Sequence, residues 1–153
     1  MRSLENLVPP PVVAVCVAAA MWGLARWWPI LRFELPWPLL SGFVVATAGG
    51  LVSSAGAREF KHARTTVNPL HPERATALVT TGIYRFTRNP MYIGIALVLV
   101  GWFVFVGSVS ALAGLPIFAW YITRFQIVPE ERALAGKFGA EYTDYRKSVR
   151  RWL

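Results

Sequence analysis

Two groups of residues in this chain have the types and spacing to hold a charged ligand. The first lies in GIYRFTRNPMYIG, residues 82 to 94, where Tyr84, Arg85, Arg88, Asn89 and Tyr92 stand directly before or at the start of a long apolar run. The second is Glu130-Glu131, just beyond the end of that run. Each has an ordinary reading. Arg85 and Arg88 can snorkel to lipid phosphates. Asn89-Pro90 is a helix start, with Asn at the cap and Pro in the first turn. Two acids after Pro129 suit the first turn of a helix, where the dipole favours negative charge. Jointly they offer more. Arginines and an open helix N-terminus on one side, two carboxylates on the other and tyrosines between suit a ligand with both charges and a flat ring. His62 and His71 add possible acid-base groups but have no metal-ligand spacing. No Gly-x-Gly-x-x-Gly occurs, which excludes a Rossmann-type site. The single cysteine, Cys16, is read as a small buried hydrophobe and cannot form an intrachain disulfide.

The elements that must position these groups are membrane helices. The 153 residues are 55% hydrophobic and only 16% charged, with a mean hydropathy of +0.43. Soluble domains carry about 25% charged residues. The net charge of +8 is spread between apolar segments, which points to anionic headgroups and membrane topology rather than nucleic acid. The start, MRSLENLVPPP, lacks the pattern of a cleaved signal peptide. A first apolar segment runs from about Val12 to Trp28, with Trp22, Trp27 and Trp28 clustered as an interfacial belt. A second, Leu39 to Ala57, has no charge and is rich in small residues: Gly42, Ala46, Gly49, Gly50, Ser53 and Ser54. Such a helix lets a neighbour approach closely or serves dimerisation, and the oligomeric state is open. Residues 58 to 90 form a long polar connection, broken by Pro69 and Pro72.

Met91 to Ile122 is free of charge for 32 residues. A single helix of that length would measure about 48 Å, against a bilayer core of about 30 Å. Gly107-Ser108 offers a turn, so the run predicts a hairpin of helices at about 90–106 and 110–126. From Pro129 the chain is charged, with Leu134, Phe138, Tyr142, Tyr145 and Val149 recurring as the apolar face of a helix. This helix is expected on the membrane surface or against the polar connection. The predicted fold is therefore all-α: a polytopic membrane protein with four transmembrane helices, the last two a hairpin, and a cytoplasmic C-terminal amphipathic helix. It forms one integral membrane domain, with residues 1–57 supplying two helices and 58–153 the ligand-binding core. Of the sixteen Lys and Arg residues, six lie in 58–90 and seven lie from Arg124 onward. Four crossings put these two regions on one side. The positive-inside rule makes that side cytoplasmic, with both termini there.

LVTTGIYRFTRNPMYIG, followed by PEERALAGKFGAEYTDYRKSV, resembles the superfamily of isoprenylcysteine carboxyl methyltransferases and phospholipid methyltransferases. The likeness covers roughly residues 58 to 151. It rests on Arg88-x-Pro90-x-Tyr92, on Glu130-Glu131 and on Phe138-Gly139-x-x-Tyr142-x-x-Tyr145. Asn89 stands where the prenylcysteine enzymes usually have His, so Asn-Pro-Met-Tyr is nearer the phosphatidylethanolamine branch. The resemblance implies S-adenosylmethionine as methyl donor and S-adenosylhomocysteine as product. Glu130 and Glu131 would take the ammonium, amides near Asn89 the carboxylate, and Leu78, Val79, Tyr84 and Tyr92 would wall the adenosine. His71, Gly82, Arg85, Pro90 and Gly94 complete the implied cofactor site. Arg88, Glu131 and, less directly, Arg124 are the implied catalytic groups. No metal is implied. The acceptor would be a lipophilic molecule or lipid entering from the bilayer. Two alternatives stand beside this reading: an NADPH-dependent enzyme like the sterol reductases, and a non-catalytic membrane scaffold.

Overall fold

The computed structural model describes residues 5, 7–65 and 75–153, and these form an all-helical bundle. Three of its helices open on proline: α1 (Pro10–Trp27), α2 (Pro38–His62) and α3 (Pro90–Val106). Proline suits the first helical position because its φ is preset and the missing N–H would have no partner there. α3 ends at Gly107, whose φ of +65° is left-handed and whose N–H returns to the Phe103 carbonyl. A 3₁₀ turn (Val109–Ala113) then leads into α4 (Gly114–Ile122), so the predicted hairpin turns at Gly107-Ser108.

α2 and α3 pack through glycines. Gly42, Gly49 and Gly56 recur every seven residues on α2, as do Gly94 and Gly101 on the antiparallel α3. All five are buried. A Cβ at Gly42 would lie 2.7 Å from the Gly101 carbonyl oxygen, and one at Gly94 would overlap Gly49 and Ser53. The close approach lets Ser53 Oγ donate to the Met91 carbonyl at 3.0 Å. Of the small residues of α2, Gly50 and Ser54 face outward and take no part in this seam.

α1 packs against α3 and α4, with Met21 fitted against Gly114 and the Trp102 indole donating to the Ala18 carbonyl at 2.9 Å. Met21, Leu99, Phe118, Ile122 and Ile127 form the core between them. Cys16 corrects the sequence reading: it faces outward from α1 and is exposed. An apolar exterior has a physical place for such a residue, as it does for Trp22, Leu39, Phe43, Leu51 and Trp120, which also point away from the bundle.

The α1–α2 link and the α3–α4 turn meet at one end, where Phe33 N–H donates to Gly107 O and Val109 N–H to Ile30 O. At the other end the start of α1 reaches the far end of the α4 run: Gln126 Nε2 donates to the Val8 carbonyl at 2.8 Å. Among the described residues, three helical stretches are long and apolar enough to cross a membrane: Pro10–Trp27, Pro38–His62 and the continuous run Val109–Ser148. α3 is apolar but has 17 residues, about 25 Å at 1.5 Å per residue.

The largest departure from the sequence reading lies in that continuous run. A separate tail helix was expected from Pro129. Instead α4 passes through one π-helical turn (Thr123–Ile127) straight into α5 (Val128–Ser148). Pro129 has no N–H for the Phe125 carbonyl and its ring crowds it. The helix widens, and Val128 N–H reaches back five residues to Thr123 O. α5 then breaks at Gly139, whose φ of +53° and ψ of −117° are not helical.

Candidate active site

The site is built where the stretch before α3 meets α5. Residues 75–89 precede α3 and contain one 3₁₀ turn (Gly82–Arg85) that lies against α2. Gly82 has φ of +56°, and a Cβ there would overlap the Glu59 carboxylate, so the turn needs glycine for both reasons. Thr81 Oγ1 donates to Glu59 Oε2 at 2.7 Å and fixes the turn to α2. Tyr84 is buried, edge-on to Phe60 with ring centroids 5.4 Å apart, and its carbonyl accepts from Tyr145 Oη at 2.7 Å.

Opposite, the π turn and the Gly139 break set the two faces of α5. Between the two walls lies a cleft enclosing about 850 Å³ of space, counting its open mouth. Phe60, Leu78, Val79, Met91 and Leu134 give it apolar walls, and Tyr84, Tyr92, Tyr142 and Tyr145 give it rings. Arg88, Asn89, Glu130 and Glu131 are its polar groups.

The two carboxylates differ. Glu130 accepts one hydrogen bond, from Tyr92 Oη at 2.5 Å. Glu131 has both oxygens engaged. Arg88 Nη2 lies 2.9 Å from Oε1, and Arg151 reaches Oε1 through Nε at 3.0 Å and Oε2 through Nη2 at 2.7 Å. The Arg88 and Glu131 side chains are 10% and 11% exposed, so removing Glu131 would leave the buried Arg88 charge without an ion-pair partner among the described residues. Burial raises the phenol of Tyr84, which remains neutral near neutral pH.

The last residues fold back over the arginine stretch. Arg88 N–H donates to Arg150 O at 2.9 Å and Arg88 Nη1 to Arg146 O at 3.2 Å. Thr87 Oγ1 and Asn89 Nδ2 both donate to Arg151 O, at 3.2 and 2.9 Å. Asn89 thus sits at the cap position of α3 but does not cap it with its side chain, which is turned to the C-terminal strap. Trp152 Nε1 is anchored on Thr123 Oγ1 at 3.3 Å.

Of the residues singled out in the sequence, Leu78, Val79, Tyr84, Arg88, Asn89, Tyr92, Glu130 and Glu131 line one cleft. Gly82 and Pro90 shape its wall through the backbone. Three residues do not line it. Arg85 is exposed, and Gly94 lies in the α2–α3 seam. The Arg124 guanidinium pairs with Glu5 at 3.2 Å and lies over the Phe125 ring, because the π turn rotates it away from the cleft. Arg124 and Arg132 together hold the Glu5 carboxyl below the usual range. His71 lies outside the described residues. Sequence reasoning missed Phe60, Met91 and Arg151. Arg151 carried no signal beyond being one of several cations in the tail.

The cleft, with polar groups at the end of an apolar helical bundle, places the chain in the class of polytopic helical proteins with a polar site near one end. The comparisons narrow the class. Residues 37–141 match the family model for phospholipid methyltransferases, and the chain belongs to that family. Its long apolar helices are those of an integral membrane member of that family. Over 127 residues it is 26% identical to protein-S-isoprenylcysteine O-methyltransferase A of Arabidopsis thaliana, covering 83% of this chain and 60% of that enzyme. The Schizosaccharomyces pombe protein-S-isoprenylcysteine O-methyltransferase is 33% identical over 72 residues, 47% of this chain and 30% of that enzyme. An uncharacterised Haemophilus influenzae protein is 44% identical over 63 residues, which are all of it and 41% of this chain. The chain thus spans less than two thirds of these isoprenylcysteine methyltransferases.

Proposed function

We propose that this protein transfers a methyl group from S-adenosylmethionine to a lipophilic acceptor held in or at the membrane. The observation that carries this reading is the polar asymmetry of the cleft. Glu130 offers a carboxylate with one internal partner, while Arg88 Nε is buried with no hydrogen-bond partner among the described residues. An unpartnered buried donor is costly and calls for an acceptor from a ligand. A zwitterion with a flat base between its charge and the tyrosines fits this donor set. When bound, S-adenosylmethionine supplies a methyl group on a sulfonium already activated to leave.

The chain's own residues then bind, orient and exclude water. Glu130 takes the ligand ammonium through charge-assisted hydrogen bonds, and Arg88 donates to the carboxylate. Glu131 serves by holding Arg88 in place. Tyr84, Tyr92, Leu78 and Val79 wall the adenosine. Positioning and water exclusion provide most of the catalysis, because the leaving group needs no further activation. The acceptor is a phospholipid amine, a prenylcysteine carboxylate, a thiol or an isoprenoid-like acid or alcohol. The outward apolar faces of the helices let such molecules approach from lipid. The cleft is assigned to the cytoplasmic side, where the Lys and Arg residues concentrate.

Purified protein incubated with methyl-labelled donor, membrane lipid extract and a prenylated cysteine peptide tests the reading. Label is expected in one acceptor fraction and absent with Glu130→Gln. Absence of label from every fraction, together with stabilisation by NADPH and not by S-adenosylhomocysteine, would contradict it and favour a reductase.

A further inference from the structure

The C-terminal strap lies beyond the family match, which ends at residue 141. Yet it makes more polar contacts to the arginine stretch than any other segment. Its key side chain is Arg151. Arg151 takes both oxygens of Glu131, through Nε and Nη2, and so occupies that carboxylate in the two-point geometry a guanidinium prefers. Arg88, which lines the cleft, is left a single contact to Glu131 through Nη2; its Nη1 donates to the Arg146 carbonyl and its buried Nε has no partner among the described residues. Two cations therefore share one anion, and the trio of Arg88, Arg151 and Glu131 carries a net positive charge beside Glu130.

We infer that Arg151 is a positioning residue: by taking both oxygens of Glu131 it limits that carboxylate to a single contact with Arg88, which holds Arg88 in place yet leaves it able to donate to the anionic end of the cosubstrate. This rests on the proposed zwitterionic cosubstrate. The side-chain role is separable from the strap's backbone role. The Arg151 carbonyl, which accepts from Thr87 and Asn89, persists whatever side chain stands at 151. Without the Arg151 guanidinium, Glu131 has a free oxygen, and Arg88 turns to fill it.

Calorimetric titration of the full chain in detergent tests this with two ligands. S-adenosylhomocysteine carries the amino-acid carboxylate. 5′-Methylthioadenosine carries the adenosine and sulfur without it. Arg151→Gln is expected to weaken S-adenosylhomocysteine about tenfold, the loss of one charge-assisted contact, and to leave methylthioadenosine unchanged. Arg151→Lys should recover part of the loss. In an Arg88→Gln background, Arg151→Gln should add nothing, because the two act through one contact. Unchanged S-adenosylhomocysteine affinity in Arg151→Gln overturns the inference. So does equal weakening of both ligands, the signature of a strap that only holds the fold. Failure of the unaltered protein to bind S-adenosylhomocysteine is a different result: it removes the cosubstrate reading and this inference with it.

Discussion

Glu130 stands beside Glu131 and accepts from the Tyr92 phenol. Binding an ammonium needs its ionised carboxylate. Affinity for S-adenosylhomocysteine is therefore expected to rise with pH as Glu130 ionises, and Glu130→Gln should be weak and flat with pH. Titration at stepped pH reads both; a profile in the Gln variant that parallels the unaltered protein would exclude Glu130. At this scale the sequence was informative where residue type itself speaks: Arg88, Glu130 and the tyrosines carry charge or rings at the edge of apolar runs. It was silent on which acid is free. Glu130 and Glu131 are adjacent and alike, and only their distant partners distinguish them: Tyr92 for Glu130, Arg88 and Arg151 for Glu131.

The α2–α3 seam and the kink in α5 make predictions at the scale of elements. Gly94→Ala is expected to force the helices apart and cost about 1–3 kcal/mol, as overpacking does. Gly50→Ala, where an added Cβ meets nothing within 4 Å, should cost nothing. Thermal unfolding in detergent compares them, and equal losses would mean that α2 and α3 do not approach as described. Gly139 is a different case. It too has open space around it, but its left-handed φ disfavours any side chain. Gly139→Ala should therefore straighten α5, turn Tyr142 and Tyr145 out of the cleft and weaken cosubstrate binding with little loss of thermal stability. Unaltered affinity in that variant would show that the kink does not aim the tyrosines. Phe138-Gly139-x-x-Tyr142-x-x-Tyr145 was visible in the sequence as a motif, and the break explains its glycine. Most helix limits were legible from charge-free runs and Gly107, but the end of α2 was not: it runs past Ala57 through Arg58, Glu59 and Lys61 to His62, into the expected polar connection. The π turn was not, because an apolar run followed by Pro129 reads equally well as a helix stop.

For the whole molecule, the α1–α2 link and the Gly107-Ser108 turn share one end, and the cleft, residues near Glu5 and the C-terminal strap share the other. With Cys16 replaced by Ser, a membrane-impermeant maleimide should reach Lys147→Cys only from the cytoplasm and Trp37→Cys only from the opposite side. Labelling of both from one side would contradict the arrangement in the bilayer. The up-and-down order of helices followed from hydropathy alone; the pairing of α2 with α3 followed from their small residues only once both helices were in place. The most direct test of the central claim is photochemical. Ultraviolet irradiation of the protein with labelled S-adenosylmethionine, followed by peptide mapping, is expected to place the label within residues 75–92 and 127–145, with excess S-adenosylhomocysteine abolishing it. Label confined to α1 or to the Gly107-Ser108 end, or insensitive to the competitor, would contradict a cosubstrate site between the pre-α3 stretch and α5.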